Sequence, residues 1–329
     1  MNFFAVGDIV TDAFIRLKDA RVHCRLDNED CEISMKWGDK IPYELHEIVP
    51  AVGNAANAAV SAARLGVSSG LRAYVGKDAY GAQCIEVLRR EGVDVAYMET
   101  QPGKFTNYHY VLWYESQRTI LVKHETFDYA VPSLREKPQW LYLSSLGDSS
   151  LPYHRALMQM LEKYPDTKLA FQPGTYQMKM GKEALAEVYK RSDLFFCNKE
   201  EAERILGLPA GQEFKQLLDA MHALGPKTVV ITDGTNGCYA RDEQGAMFHL
   251  PRYPDPKQPY EVTGAGDALA STTTVALSLG KTLEEALRWG SVNASSVLQG
   301  IGAQKGLLTR EQLEKNLANP PAPWSVESL

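Results

Sequence analysis

The stretch Val262-Thr263-Gly264-Ala265-Gly266-Asp267-Ala268-Leu269 opens a run of small residues that ends at Gly280. Small residues without proline predict a long, closely packed helix over residues 265–280, and the glycines mark its start. The unpaired amides of such a helix start attract an anion. Asp267 falls in the first turn, where a carboxylate can accept a proton from an attacking hydroxyl. A simple helix cap with an acidic residue that compensates the helix dipole is the alternative interpretation.

Upstream of this stretch, short apolar segments alternate with helical ones. Strands are predicted at 3–10, 71–75, 93–97, 140–144, 168–172, 194–197 and 228–232. Helices are predicted at 54–65, 80–91, 152–164, 181–190, 199–206, 214–224 and 283–298. This alternation predicts an α/β fold with a parallel sheet covered on both faces.

Two charged insertions, at about 12–50 and 104–125, interrupt one predicted domain that spans residues 1–329. Residues 31–37 and 43–49 alternate and flank Gly38, which predicts a half-exposed hairpin. Residues 106–124 predict a second two-stranded ribbon. We expect the two insertions to pair into one small sheet, a lid that excludes water from a reaction.

Composition and charge narrow the class of protein. The chain has 329 residues, 44% of them hydrophobic and 23% charged, and a net charge of -6. These values predict a globular protein that does not coat nucleic acid. Charges interrupt the apolar N-terminus, so it does not resemble a signal peptide, and no apolar run is long enough for a membrane span. The five scattered cysteines predict reduced thiols and a cytoplasmic location.

Two common nucleotide-binding motifs are missing. The sequence contains no G-x-x-x-x-G-K-[ST] motif, so binding in the manner of a P-loop enzyme is not expected. The Gly264-x-Gly266 pair lacks the third glycine of a dinucleotide fingerprint and lies near the end of the chain. This argues against a nucleotide-binding oxidoreductase.

Four motifs in order resemble those of the ribokinase-like (PfkB) carbohydrate kinases. They are Val52–Val60 with its Ala-Arg-Leu-Gly ending at Gly66, Asn198–Glu201, Ile231–Gly237 and Thr263–Asp267. The resemblance implies a three-layer α/β sandwich with a mostly parallel central sheet and a small β-sheet lid. It also implies ATP-dependent, Mg²⁺-requiring phosphoryl transfer to a hydroxyl of a sugar or a sugar-containing small molecule.

The resemblance further implies a role for each matching residue. Asp267 would be the catalytic base, and Gly264, Ala265 and Gly266 the anion hole for the transferred group. Glu201 would organise Mg²⁺ and its waters together with Asn198, which lies beside the phosphates. Nucleotide contacts are implied for Asn198, Thr232, Gly234 and Gly237, and sugar contacts for Asp12, Gly53 and Asn57. Taken alone, Glu201 is better explained as a solvated first-turn glutamate, and Asp12 is explained equally well as a turn residue at the end of a strand.

Three departures weaken the transfer of any one sugar specificity. Glu261 replaces the usual aspartate before the last motif, in a loop that helps bind a monovalent cation in potassium-activated relatives, so activation by K⁺ is left open. Val52 replaces a glycine, and Gln172 stands where relatives often carry Asn or Asp.

A sugar is the expected acceptor, and an adenosine-type nucleoside kinase is the first alternative. Trp37 or Tyr110 of the insertions would then stack on a nucleobase, although aromatic residues on strands more often pack against each other or a second subunit. If the protein forms an oligomer, we therefore expect a homodimer whose subunits pair through the lid. A catalytically silent sugar- or nucleotide-binding regulator is the second alternative, but Asp267 and Glu201 are not needed for binding alone.

Overall fold

The computed structural model describes residues 1–24, 31–115, 117–255 and 257–329. Within those ranges the chain forms seventeen β-strands and ten α-helices. The strands are β1 (Phe3–Val6), β2 (Val10–Leu17), β3 (Arg21–His23), β4 (Glu32–Ser34), β5 (Tyr43–Val52), β6 (Ser69–Arg72), β7 (Tyr74–Gly76), β8 (Glu99–Gln101), β9 (Asn107–Tyr114), β10 (Gln117–Leu121), β11 (Trp140–Leu143), β12 (Lys168–Phe171), β13 (Leu194–Asn198), β14 (Thr228–Thr232), β15 (Cys238–Arg241), β16 (Met247–Leu250) and β17 (Glu327–Ser328). The helices are α1 (Asn54–Arg64), α2 (Ala79–Arg90), α3 (Leu151–Glu162), α4 (Thr175–Met180), α5 (Ala186–Arg191), α6 (Lys199–Leu206), α7 (Phe214–His222), α8 (Ala265–Ser278), α9 (Leu283–Val297) and α10 (Arg310–Ala318).

Nine strands form the central sheet, in the order β17-β16-β15-β14-β13-β12-β11-β1-β6. The strands from β14 to β6 run parallel, and β15, β16 and β17 continue antiparallel at one edge. Strands such as Phe3–Val6 and Trp140–Leu143 are buried along their whole length, as parallel strands covered on both faces require. One hydrophobic core packs beneath α1, α2, α8 and α9, and another beneath α3, α5, α6 and α7. The predicted three-layer α/β sandwich is therefore confirmed.

A second sheet of four strands, β10-β9-β2-β5, stands beside the body. We call this sheet the lid. β2 pairs parallel with β9 and antiparallel with β5, so the two insertions do combine into one sheet, as predicted. Its inner face packs Phe14, Val111 and Trp113 against Ile301 of the body. Residues 25–30 and 116 of the insertions lie outside the described ranges.

The predicted hairpin between residues 31–37 and 43–49 is wrong. β4 pairs instead with β3, and β5 pairs with β2. The eight residues of β2 continue from the buried β1 and offer β5 a long partner, which lets β5 bury Ala51 and Val52 at its end. Residues 31–37 are mostly exposed and offer no comparable apolar surface.

The cysteines are not all reduced. Cys24 and Cys31 form a disulfide, so the prediction of free thiols is wrong for this pair. Cys84, Cys197 and Cys238 are free and buried. Cys24 follows β3 and Cys31 precedes β4, so the disulfide joins the ends of these antiparallel strands, a pairing that no spacing motif indicates.

Two other predictions fail for local reasons. The helix expected over 181–190 begins only at Ala186, as α5; α4 lies before the predicted range and ends at Met180, because Gly181 adopts a left-handed φ of 87°. Residues 93–97 form only one bridge, between Gly70 and Asp94, since the Asp94 carboxylate accepts from the Ala96 amide and turns the chain. Among the described residues, no helix is both long enough and apolar enough to cross a bilayer.

Candidate active site

Asp267 lies in the first turn of α8, directly after residues 262–266, which we call the glycine loop. Gly264 caps the helix with a φ of 84°. A Cβ at this position would overlap the Cβ of Ala303 and lie 2.5 Å from its Cα. Only glycine combines this backbone angle with such close packing, so Gly264 fixes where α8 begins and where Asp267 points.

Three side-chain amides surround the Asp267 carboxylate. Asn54 Nδ2 donates to Oδ1 over 2.8 Å, and Gln172 Nε2 donates to the same oxygen over 3.0 Å. Asn57 Nδ2 donates to Oδ2 over 2.7 Å. Two of the donors come from the start of α1 and the third follows β12, so three distant segments meet at one carboxylate.

The amides are themselves held in orientation. Asn57 Oδ1 accepts from Gln304 Nε2 over 3.0 Å, and Gln172 Oε1 accepts from the Tyr142 hydroxyl. The amide oxygens of Asn57 and Gln172 are therefore occupied, which directs their NH₂ groups toward Asp267. The carboxylate is enclosed by donors on both oxygens.

Burial raises the pKa of Asp267 above its usual value, and the three amides together with the Arg118 charge oppose that rise. Hydrogen bonds to the ionised form favour it, while exclusion from water makes the carboxylate a stronger base. This combination suits a group that takes up a proton during a reaction.

The glycine loop forms one wall of a cavity of about 280 Å³ that Asp267 shares with Asn198 and Glu201. Gly266 is exposed, and a Cβ there would meet no atom within 4 Å. The first amides of α8 lack intrahelical acceptors and carry the positive end of the helix dipole. The cavity can therefore receive an anion such as a phosphate.

Asn198 and Glu201 form a reciprocal cap at the start of α6. Asn198 Oδ1 accepts from the Glu201 amide over 2.7 Å, and Glu201 Oε2 accepts from the Asn198 amide over 2.9 Å. Burial raises the pKa of Glu201. The cap uses one Glu201 oxygen, Oε2, and the Glu201 side chain lines the cavity.

The described residues contain no group of three or more His, Cys, Asp or Glu side chains that could hold a metal by themselves. Mg²⁺ seldom needs such a cage, because it binds through one or two carboxylates, phosphate oxygens and waters. A single carboxylate oxygen beside an anion cavity fits that pattern, so Glu201 is a suitable ligand.

A second cavity, of about 260 Å³, adjoins the first and shares Thr232 and Gly266 with it. Gly234 and Gly237 also line it, together with Ala265 of the glycine loop. Gly237 adopts a φ of 95°, and a Cβ there would overlap the Leu250 carbonyl. Three of the four residues predicted to contact a nucleotide thus lie together beside the anion cavity, which the fourth, Asn198, lines.

Asp12 lies on β2 of the lid and is in register with His109 of β9, so both side chains share the face turned toward the body. Asp12 Oδ1 lies 3.6 Å from His109 Nδ1. Burial and the nearby Glu261 raise the pKa of Asp12 to about 7, and burial lowers that of His109 to about 4. Near neutral pH His109 is therefore uncharged, while Asp12 is close to the midpoint of its titration.

Gly53 precedes α1 with a φ of 109°, and a Cβ there would lie 2.8 Å from the Asp8 carbonyl. This close approach joins the start of α1 to the end of β1. Asn57 follows one turn later on α1 and reaches Asp267, so the predicted sugar-contacting residues are connected to the predicted base.

A family model described as "pfkB family carbohydrate kinase" matches residues 50–310 of the chain. The chain belongs to the pfkB family of carbohydrate kinases. It is therefore an enzyme that transfers a phosphoryl group to an alcohol, and enzymes of this family use ATP.

Individual members of the pfkB family are distant relatives. Ribokinase of Bacillus subtilis is 25% identical over 307 residues, covering 86% of this chain and 92% of the relative. Cytidine kinase of Thermococcus kodakarensis is 28% identical over 259 residues, covering 76% and 88%. The structure of Arabidopsis thaliana ribokinase complexed with ribose and ATP superposes with a TM-score of 0.76 at 22% identity, covering 96% of this chain and 98% of that one.

Several site residues were not predicted from the sequence. Asn54 stands inside the quoted first motif but was given no role, and its position at a helix start was the available signal. His109, His124 and Arg118 carried no motif at all. They reach the site only because β9, β10 and the segment after them fold over the body of this pfkB kinase.

Proposed function

We propose that this carbohydrate kinase transfers the γ-phosphoryl group of ATP to a hydroxyl of a free sugar or a sugar-containing small molecule. The observation that supports it best is the Asp267 carboxylate, oriented by three amides beside an anion cavity. The acceptor oxygen attacks the γ-phosphorus while its proton passes to Asp267. The bond between the γ-phosphorus and the bridging oxygen breaks, and ADP leaves with that electron pair.

The amides of Gly264, Ala265 and Gly266 would bind the oxygens of the phosphoryl group as negative charge spreads over them. Thr232, Gly234 and Gly237 would line the nucleotide, with Asn198 between nucleotide and phosphates. Glu201 would hold Mg²⁺ through its Oε1 and through waters. When bound, the ion neutralises charge on the phosphate oxygens.

The acceptor would lie between the lid and the body, against Asp12, Gly53 and Asn57. Asp12 Oδ1, His109 Nε2 and His124 Nδ1 are buried without hydrogen-bond partners. Buried polar atoms without partners are costly, and a ligand with several hydroxyls would satisfy them. This supports a polyhydroxylated acceptor.

A nucleoside acceptor is the second candidate, favoured by the likeness to cytidine kinase. The aromatic residues give it little support. Tyr110 is in register with Ala13, on the lid face opposite Asp12, and Trp37 is fully exposed, at 101% of its reference area. Trp113 is on the inner face but packs against Tyr260. A silent regulator is less favoured, because Asp267 and Glu201 are both retained.

An acceptor panel tests the proposal. ADP release would be followed by a coupled assay with ATP and Mg²⁺ over pentoses, hexoses, sugar acids, amino-sugar conjugates and nucleosides. We expect at least one free sugar or sugar conjugate to be used as efficiently as any nucleoside. Turnover of nucleosides alone would overturn the choice of acceptor and leave the kinase chemistry intact.

We also propose a homodimer formed through the outer face of the lid. Ile48, Tyr110 and Leu121 are exposed there on three different strands. Apolar side chains on an open sheet favour association. Sedimentation at rising concentration would test this, with Tyr110→Asp as the disrupting variant, and a strict monomer at high concentration would contradict it.

A further inference from the structure

Arg118 is the point at which the lid reaches the glycine loop. It lies on β10, in register with Trp113 on the inner face of the lid. Its Nη1 donates to Glu261 Oε1 over 3.1 Å, and its side chain is 29% exposed while that of Glu261 is only 3% exposed. An ion pair thus joins the lid to the residue that precedes the glycine loop.

The Glu261 carboxylate is held on both oxygens. Oε1 also accepts from the Thr263 amide over 2.7 Å and from the Thr263 hydroxyl, and Oε2 accepts from the Gly302 amide over 3.3 Å. These partners are neutral. Among the described residues, Arg118 is the cation paired with this buried carboxylate. A buried carboxylate needs such a partner, so Glu261 fixes the position of the guanidinium.

Arg118 also lines the cavity that contains Asp267, Asn198 and Glu201. The other titratable side chains on that wall are acidic, and Arg118 is the basic residue among them. A guanidinium has five N–H donors, and within the described ranges Arg118 uses one nitrogen, in its contact with Glu261. The other donors can bind a phosphate, for which the planar guanidinium is well suited.

The charge of Arg118 acts on both sides of the site. It lowers the pKa of Asp267 and the pKa of Asp12, opposing the effect of burial on each. The guanidinium therefore lies close enough to influence the predicted base and the predicted acceptor contact together. A cation at this position offsets negative charge as it develops on the oxygens of a transferred phosphoryl group.

We infer that Arg118 is a phosphate-binding residue supplied by the lid, held in place by Glu261, so that the cationic side of the phosphoryl-transfer site is complete only while the lid is packed against the body. This rests on the proposed function. Arg118 takes no proton in the reaction, and its contribution is to bind phosphoryl oxygens as their charge develops.

The test uses three variants, because loss of Arg118 alone leaves Glu261 buried without a cation. Arg118→Gln removes the charge, Glu261→Gln releases the guanidinium from its anchor, and the double variant removes both charges and restores a neutral pair. Thermal melting shows whether each is folded. Calorimetry with Mg²⁺ then compares the non-hydrolysable ATP analogue AMP-PNP with ADP, which requires no knowledge of the acceptor.

We expect Arg118→Gln and the double variant to bind AMP-PNP about tenfold or more weakly, with ADP affinity changed less than about threefold, as a lost contact to the γ-phosphate predicts. With an acceptor in hand, kcat should fall by about 10²–10³ in both. Guanidinium ion at millimolar concentration should partly rescue Arg118→Ala and have no such effect on Asp267→Asn.

Recovery of AMP-PNP binding or kcat in the double variant would overturn the inference, because the ion pair would then be only a structural link. Equal losses of AMP-PNP and ADP binding in Arg118→Gln would overturn it as well. Failure of the proposed function gives a different result, in which the wild-type protein binds AMP-PNP but phosphorylates no acceptor of the panel.

Discussion

Replacing Asp267 by Asn tests the site most directly, because the exchange preserves shape and removes one acceptor oxygen. Every hydrogen bond to the carboxylate comes from an amide NH₂ group. The new Asn NH₂ must therefore face either Asn57 or the pair Asn54 and Gln172. Neither Asn57 nor Gln172 can turn its oxygen inward, since Gln304 and Tyr142 donate to those oxygens.

The structure sets the size of two effects. At least one hydrogen bond is lost and two donors are brought together in a buried site, which costs about 1–3 kcal/mol of folding free energy. For a domain of this size that lowers Tm by a few degrees. Loss of the proton acceptor should separately reduce kcat by about 10²–10⁴.

The assay measures kcat and KM with the best acceptor, ATP affinity by calorimetry, and Tm by scanning. ATP affinity should change little, since no amide of the glycine loop is altered. Asp219→Asn is the matched control, because Asp219 is 61% exposed and pairs with Arg241 on the surface. Turnover within tenfold of the wild type would refute the assignment of the base, and an unchanged Tm would refute the hydrogen-bond argument.

Three further predictions follow from the charged groups. Glu201→Gln should raise the Mg²⁺ concentration needed for half-maximal activity more than it raises acceptor KM, as measured by metal titration after chelation. If acceptor binding is lost while the Mg²⁺ requirement stays the same, Glu201 contacts the substrate and not the metal. Burial raises the pKa of Asp8 from 3.8 to about 7, so neutral Asp8 contributes stability that is lost as pH rises through 7. At pH 8 the free energy of unfolding of Asp8→Asn should exceed that of the wild type by on the order of 4 kcal/mol, with a higher Tm, and at pH 4 the variant should show no gain. Arg118 already pairs with the Glu261 carboxylate, so a monovalent cation is not needed to balance its charge. Exchanging KCl for tetramethylammonium chloride should therefore leave activity within about twofold. Strong activation by K⁺ would show that the ion pair does not replace the monovalent cation.

The body of the fold could be predicted because its signals are local. Apolar runs such as Trp140–Leu143 and the small-residue helix after Gly264 each specify one element, and their order specifies the sheet. The lid was predicted as a sheet, yet the partner of β5 was not, because alternation within a strand does not say which neighbour it will pair with.

The candidate site was predictable only where it follows a motif. Asp267 and the glycine loop could be identified because glycines followed by an acidic residue are typical of a helix start. The pairing of Arg118 with Glu261 depends on two segments far apart in the chain, and no feature of either segment identifies the other. Gln172 was noted only as a departure, although the structure makes it a donor to Asp267.

The convergence of Asn54, Asn57 and Gln172 on a residue near the end of the chain affects how the protein is made. Ribosomes release the N-terminal part first, and that part contains the lid, β1 and α1. Until α8 emerges, the alanine-rich face of α1 lacks the helix against which it packs, and the three amides have no carboxylate to meet. A fragment that ends before Thr263 should therefore stay unfolded or bind a chaperone, and the nascent chain should become protease-resistant only once its last helices have left the ribosome.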